Sequence, residues 1–152
     1  LVRETTLVPE TLVYPLFVCT GSGLRREVPS MPGVFQLSVD EVVREVEGAR
    51  QDGIRAVLLF GLPERKDDTG SGAWDDDAPV QAAVRAIKEQ TSDILVITDV
   101  CLCEYTSHGH CGIVDGEAIV NDSTVELLAR TAVSHAVAGA ELRAVADVAA
   151  AA

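Results

Sequence analysis

Ile54–Gly61, IRAVLLFG, is a continuous apolar run interrupted by a single arginine. An apolar–polar alternation would mark a strand with one wet face. A near-unbroken run instead predicts a strand buried on both faces, as in parallel sheets covered by helices. The flanking sequence agrees. Upstream, Val39, Val42, Val43, Val46 and Ala49 fall on one helical stripe. Ser38-Val-Asp-Glu41 has the form of a capping box before it, and Gly53 supplies a stop. Further upstream, Leu12–Val18 (LVYPLFV) predicts another buried strand, with Pro15 marking an edge or a bulge. Between them, 25–36 contains Pro29, Pro32 and Gly33 and predicts irregular chain.

Downstream the pattern repeats. Leu62–Ala78 is a charged, glycine-containing connection, long for a structureless loop. Pro79–Gln90 predicts a helix with Val80, Ala83, Val84 and Ile87 on its stripe and Pro79 at its start. Asp93–Val100 (DILVITDV) predicts a third buried strand. A small hairpin is expected through Gly112–Val120. Ser123-Thr-Val-Glu126 has the form of a second capping box, opening a helix to about Ala138 that Gly139 ends. Strands alternating with helices predict an α/β fold with a parallel sheet and helical crossovers. Three such units leave two choices, a doubly wound sheet or part of a (β/α)8 TIM barrel. Thr20-Gly-Ser-Gly-Leu-Arg25, after the first strand, matches neither G-x-G-x-x-G nor a Walker motif, which argues against a nucleotide-binding Rossmann domain.

Composition narrows the function classes. The 152 residues are 47% hydrophobic, enough for a core, so the chain is not disordered by composition. With 24 acidic against 12 basic residues the formal charge is −12. No basic cluster interrupts that excess, which argues against nucleic acid and anionic membrane as partners. The longest apolar runs are far short of the roughly 20 residues a bilayer helix needs. Four cysteines are too few and too clustered for a secreted disulfide scaffold, so a reducing cytoplasm is expected. The start at Leu1 and the Ala-rich end at Val145–Ala152 suggest that both ends are cut or altered.

One segment carries the chemistry: Asp99-Val-Cys-Leu-Cys-Glu-Tyr-Thr-Ser-His-Gly-His-Cys-Gly112. It holds Cys101, Cys103 and Cys111 together with His108 and His110. It begins where a buried strand ends, and ligands gather at the carboxyl ends of parallel strands. In extended chain Cys101 and Cys103 point the same way. Gly109 and Gly112 let the loop fold back with His110 or Cys111. Thiolates are soft ligands that suit zinc, and three of them with one open position is a catalytic arrangement. Three packed thiols acting as small apolar groups are one alternative. A closed structural zinc with His108 or His110 as fourth ligand is another. A redox pair is disfavoured without C-x-x-C. Asp99 either caps the edge of the core or faces a substrate. Elsewhere the expectations are plain. Cys19 is a packed thiol, His135 is structural, and Tyr14, Phe17 and Phe35 belong to the core. Trp74 with Asp75–Asp77 forms a solvated acidic loop rather than a magnesium site.

At this segment the sequence resembles the porphobilinogen synthase (delta-aminolevulinic acid dehydratase) family. Tyr14-Pro-Leu-Phe-Val18, Pro29-Ser-Met-Pro-Gly-Val34, Leu37-Ser-Val-Asp40, Gly53–Phe60, Ile97-Thr-Asp-Val100 and Asn121-Asp-Ser-Thr-Val-Glu126 extend the resemblance over about residues 1–141. The resemblance implies a (β/α)8 barrel, of which the chain carries the N-terminal part, about the first three to four βα units. It implies 1–9 as a remnant of an N-terminal arm, 10–140 as barrel and 141–152 as a divergent tail. It implies condensation of two 5-aminolevulinate molecules to porphobilinogen, in heme biosynthesis. Cys101, Cys103 and Cys111 match the family's zinc ligands, Asp99 a substrate-pocket aspartate, and His110 a histidine beside the metal. Zn2+ is the implied cofactor, with Mg2+ a candidate second ion. A homo-oligomer, commonly an octamer, is implied for the full-length form. Glu104 departs from the family, standing where many zinc-type relatives have proline. After Ala140 the family pattern ends, and truncation by a frame shift or an incomplete gene model is the expectation. The family's two Schiff-base lysines match neither Lys66 nor Lys88, the chain's two lysines. The chain alone is therefore expected to be inactive, and a non-catalytic zinc-binding half barrel is the alternative reading.

Overall fold

The computed structural model describes residues 4–116 and 118–145, with backbone alone for 142–145. After a 3-10 turn at Pro9–Thr11, strand β1 (Val13–Cys19) enters the sheet, followed by β2 (Arg25–Glu27) and β3 (Phe35–Ser38). Helix α1 (Val39–Gln51) crosses to β4 (Ala56–Leu62), and α2 (Pro79–Gln90) crosses to β5 (Leu95–Val100). A hairpin of β6 (Ile113–Asp115) and β7 (Ala118–Val120) precedes α3 (Asn121–Ala138), which leads to β8 (Leu142–Val145). The main sheet has the order β2-β3-β1-β4-β5-β8 and is parallel except for β2 against β3. In register, Pro15 pairs with Leu58, Leu58 with Ile97, and Ile97 with Leu142.

The α/β expectation holds, and several local expectations are corrected. The β4 strand is not fully buried on both faces. Val57, Leu59 and Gly61 are buried against the helices, while Leu58, Phe60 and Leu62 on the other face are half-buried. The ring of Phe60 there meets that of its register partner Phe17, centroids 5.6 Å apart. Residues 25–36 are not irregular throughout: β2 and β3 pair across the proline-containing turn, where Val28 N–H bonds Val34 O at 2.8 Å. Because β3 pairs with β1 only at Phe17–Cys19, Pro15 lies where β1 is free on that side, as its missing N–H requires.

Neither capping box forms. Ser38 stays in β3, where its Oγ accepts the Leu24 N–H (2.9 Å) and donates to Asp40 Oδ1 (2.6 Å), while Glu41 pairs with Arg44. The third helix starts at Asn121, so Ser123 lies inside its first turn. There the Ser123 and Thr124 hydroxyls both donate to Val120 O (3.3 and 2.7 Å). The helix stops hold: Gly53 and Gly139 take φ of +94° and +111°.

One core lies between sheet and helices: Leu16 and Val18 of β1, Val57 and Leu59 of β4, and Val96 of β5 pack on Val42, Val46, Val80, Val84 and Ile87. Burying each such aliphatic side chain stabilises the fold by about 1.5–3 kcal/mol. A second cluster gathers Ala73, Val100, Leu102, Tyr105 and Leu128 just beyond the carboxyl ends of β4 and β5. No helix among the described residues is long and apolar enough to cross a membrane. Residues 1–3 of the expected arm and 146–152 of the expected tail lie outside the described residues, while Leu142–Val145 forms β8.

Candidate metal centre

The parity of β5 sets the site. Val96, Thr98 and Val100 face the helices, and Thr98 Oγ1 meets the buried His135 Nδ1 of α3 at 3.0 Å. Asp99 therefore faces the opposite side, that of Phe17 and Phe60, at the carboxyl end of the sheet. Beyond β5 the chain turns tightly, because Leu102 O accepts the N–H groups of both Tyr105 and Thr106 at 2.9 Å. Leu102 is the buried anchor between the two thiols that the C-x-C spacing turns the same way.

The structure brings the three sequence-predicted thiols together. Cys101 Sγ and Cys103 Sγ are 3.2 Å apart, and with Cys111 Sγ all three lie within 4.8 Å of one another. Two thiolates on one tetrahedral zinc at ~2.3 Å would stand about 3.8 Å apart. The spacing and the soft donor set fit such an ion. Among the described residues, no histidine or carboxylate joins that group. Cys19 is buried on β1, apart from it.

Burial pushes the Cys101 and Cys103 thiols above their ordinary range. These two thiols hold their protons more tightly than usual, so a cation taken up by them would have to displace protons. Burial likewise raises Asp99. Burial first and the Asp99 charge second push Glu104 up to about 7, against the opposing charge of Lys66. Two carboxyl groups that hold protons more readily than usual thus lie within charge reach of each other, and Glu104 also within reach of the Cys103 thiol. The two exposed histidines stack loosely, rings 5.5 Å apart. His110 N–H donates to His108 Nδ1 (3.2 Å), and His108 Nε2 lies 3.2 Å from Asp68 O. A His108 protonated at Nε2 serves both contacts.

Several residues that shape the site are absent from the sequence reading. Tyr105 is buried under β4, where its hydroxyl fills the space a side chain at Gly61 would take. The connection after β4 is not structureless: it carries a 3-10 turn at Ser71–Trp74 and bridges to the cysteine loop between Asp67 and Thr106. The Asp-x-Thr-x-Ser spacing at 67–71 was the available signal, since aspartate side chains cap such turns. Trp74 is covered by the Arg130 guanidinium at 4.6 Å, and Asp75–Asp77 are exposed. Lys88 is tied to Ile94 O (2.8 Å) and to the Glu141 carboxylate.

Comparison with known proteins gives consistent likenesses. A family model described as delta-aminolevulinic acid dehydratase matches residues 1–151. The protein of that name from Methanothermus sociabilis is 49% identical over 147 residues, covering 97% of this chain and 46% of the relative. The one from Halalkalibacterium halodurans is 51% identical over 142 residues, covering 93% and 43%. A crystal structure of delta-aminolevulinic acid dehydratase (porphobilinogen synthase) from Toxoplasma gondii, in complex with the reaction product porphobilinogen, matches with a TM-score of 0.91 at 38% identity. It covers 96% of this chain and 42% of the solved one. The chain spans about half the length of the curated relatives it matches. These likenesses decide between the two architectures: the sheet and its crossovers are N-terminal units of a (β/α)8 barrel.

Proposed function

The chain belongs to the delta-aminolevulinic acid dehydratase family, and we propose that it supplies the metal-binding part of a zinc-dependent porphobilinogen synthase. The reaction is the condensation of two 5-aminolevulinate molecules into porphobilinogen, a step of heme biosynthesis. The observation that carries the reading is the convergence of three thiols within 4.8 Å at the carboxyl end of the parallel sheet, where barrel enzymes place their chemistry. Cys101, Cys103 and Cys111 would hold the ion. Zinc, when bound, supplies a Lewis acid that polarises a carbonyl or acidifies a bound water. Asp99 faces the substrate, and its burial favours a carboxyl group able to hold a proton. His110 lies beside the metal. Residues 1–9 belong to an arm and 10–140 to the barrel, and β8 (Leu142–Val145), paired in parallel with β5, continues its sheet past residue 140 and leaves 146–152 to a tail. The full-length form assembles into a homo-oligomer, works in the cytoplasm and takes Mg2+ as a second ion.

Zinc stoichiometry tests the site. The purified chain should bind one Zn2+, and Cys103→Ala should lose it; full binding by Cys103→Ala would remove the assignment. One observation favours the alternative of a zinc-binding half barrel without catalysis: Lys88 is engaged by Ile94 O and Glu141. An amine that forms a Schiff base must be free and of lowered pKa. Lys66, the other lysine, is exposed in the connection after β4 rather than set in a desolvated pocket, so the 152-residue polypeptide should make no pyrrole product from 5-aminolevulinate. Turnover above background by this polypeptide would refute that.

A further inference from the structure

Between Val100 and Ile113 the cysteine loop has no helix or extended strand pairing of its own, yet its two thiol-bearing arms converge. One residue outside the loop grips both arms through its main chain. Asp67 N–H donates to Tyr105 O (3.2 Å), and Asp67 O accepts the Ser107 N–H (2.9 Å). Tyr105 follows Cys103 by two residues, and Ser107 precedes Cys111 by four. The grip therefore fixes the point at which the chain turns back to bring Cys111 to the other two thiols.

The Asp67 carboxylate fixes the grip in turn. It accepts the N–H groups of Thr69 (2.9 Å) and Ser71 (3.0 Å), the Thr69 hydroxyl (2.9 Å), and the Ser71 hydroxyl. Four donors on one carboxylate lock the turn from Asp67 to Ser71. The turn presses closely on the loop. A Cβ at Gly70 would stand 3.3 Å from both Thr106 Cγ2 and Tyr105 Cβ. Asp68 adds a second tie, accepting the Ser107 hydroxyl at 2.5 Å.

We propose that Asp67 is the positioning residue of the three-thiol site: through the turn its carboxylate locks, it sets the affinity and geometry of the bound metal without touching it. The inference rests on the metal-binding reading above. Ligands held in place lose less conformational freedom on binding, so preorganisation appears as affinity. Removing groups that orient metal ligands from outside typically costs about 10–100-fold in affinity.

The test uses the 152-residue chain with Zn2+ and Co2+ as probes. Zn2+ affinity is measured by competition with a chromophoric chelator, and site geometry by the d–d and thiolate charge-transfer bands of Co2+. Asp67→Ala should bind Zn2+ about 10–100-fold more weakly and lose d–d intensity. Asp67→Asn, which keeps one acceptor oxygen, should fall between Asp67→Ala and the unaltered chain. Ser71→Ala should weaken binding several-fold, and Asp76→Ala, exposed in the same connection, should bind as the unaltered chain does. Unchanged affinity and an unchanged Co2+ spectrum in folded Asp67→Ala would overturn the proposal, even with a lowered thermal midpoint, because the turn would then serve the fold alone. If Asp67→Ala does not fold, Ser71→Ala decides by the same two readouts. An unaltered chain that binds neither ion removes the metal reading itself, and this inference with it. That outcome is distinct from equal binding by parent and variant.

Discussion

At Gly61 the missing side chain leaves room for Tyr105 of the cysteine loop against β4. A Cβ there would lie 2.8 Å from Val80 Cγ2 and far inside contact distance of the Tyr105 hydroxyl. Overpacking of this kind typically costs about 1–3 kcal/mol. Gly61→Ala should lower the thermal midpoint, and an unchanged midpoint would show that the Tyr105 ring can withdraw. The chain's two tyrosines offer a second check, by titration. Burial, and then the Glu45 carboxylate that accepts the Tyr14 hydroxyl at 2.7 Å, raise Tyr14 to about 12. Burial raises Tyr105 further. A phenol raised in the folded state adds stability that is fully present below its unfolded pKa of ~10 and is lost as pH rises through 12. Absorbance at 295 nm should thus show almost no tyrosinate at pH 10 in the folded chain, against about half in urea. Half-ionisation at pH 10 without urea would contradict both burials. The thiols were legible in sequence because their spacing and chemistry are local. Gly61 was not, because only the tertiary approach of Tyr105 forbids a side chain there.

Among the elements, helix ends tested the sequence reading hardest. The stops at Gly53 and Gly139 were legible, since a left-handed residue after a helix is a local demand that glycine meets. The start at Pro79 was legible as well, but the two serine caps were not. A serine three residues before a glutamate can cap a helix only if its hydroxyl is free, and Ser38 is held by Leu24 and Asp40. Strands β2 and β3 were also missed: their proline-containing connection reads as loop, and their pairing arises only across the turn. Two glycines separate backbone strain from backbone entropy. Gly139→Ala forces a side chain into φ +111° at the end of α3 and should destabilise by about 1–2 kcal/mol. Gly48 lies inside α1, where a Cβ would meet no atom within 4 Å. Gly48→Ala should instead stabilise by about 0.5–1 kcal/mol, by reducing the freedom of the unfolded chain. Urea midpoints of the two variants should move in opposite directions, and movement in the same direction would defeat the distinction.

For the molecule as a whole, one arrangement links fold to function: parallel strands end together, and the loop after β5 gathers its thiols at that end. The apolar runs announced the sheet, while the cluster itself depends on the connection after β4, whose bridge to Thr106 no local pattern contains. A metal bound there joins segments on both sides of the Thr106 turn, so it should stabilise the folded chain as any ligand of the native state does. At a free Zn2+ concentration a hundred times Kd, the gain is about 2.7 kcal/mol, or about 5–11 °C in thermal midpoint for a chain of this size. Its pH dependence follows from the thiols. Cys101 and Cys103 are both raised by burial when metal-free, yet both must lose a proton to ligate. Below their raised pKa values each costs up to about tenfold in affinity for every unit that pH falls. The Zn2+-induced rise in midpoint should therefore be large at pH 8 and should shrink steeply by pH 6 at the same total zinc. It should vanish with chelator and be absent in Cys103→Ala at either pH. A rise of equal size at both pH values would mean that the ion is held by groups other than these thiols.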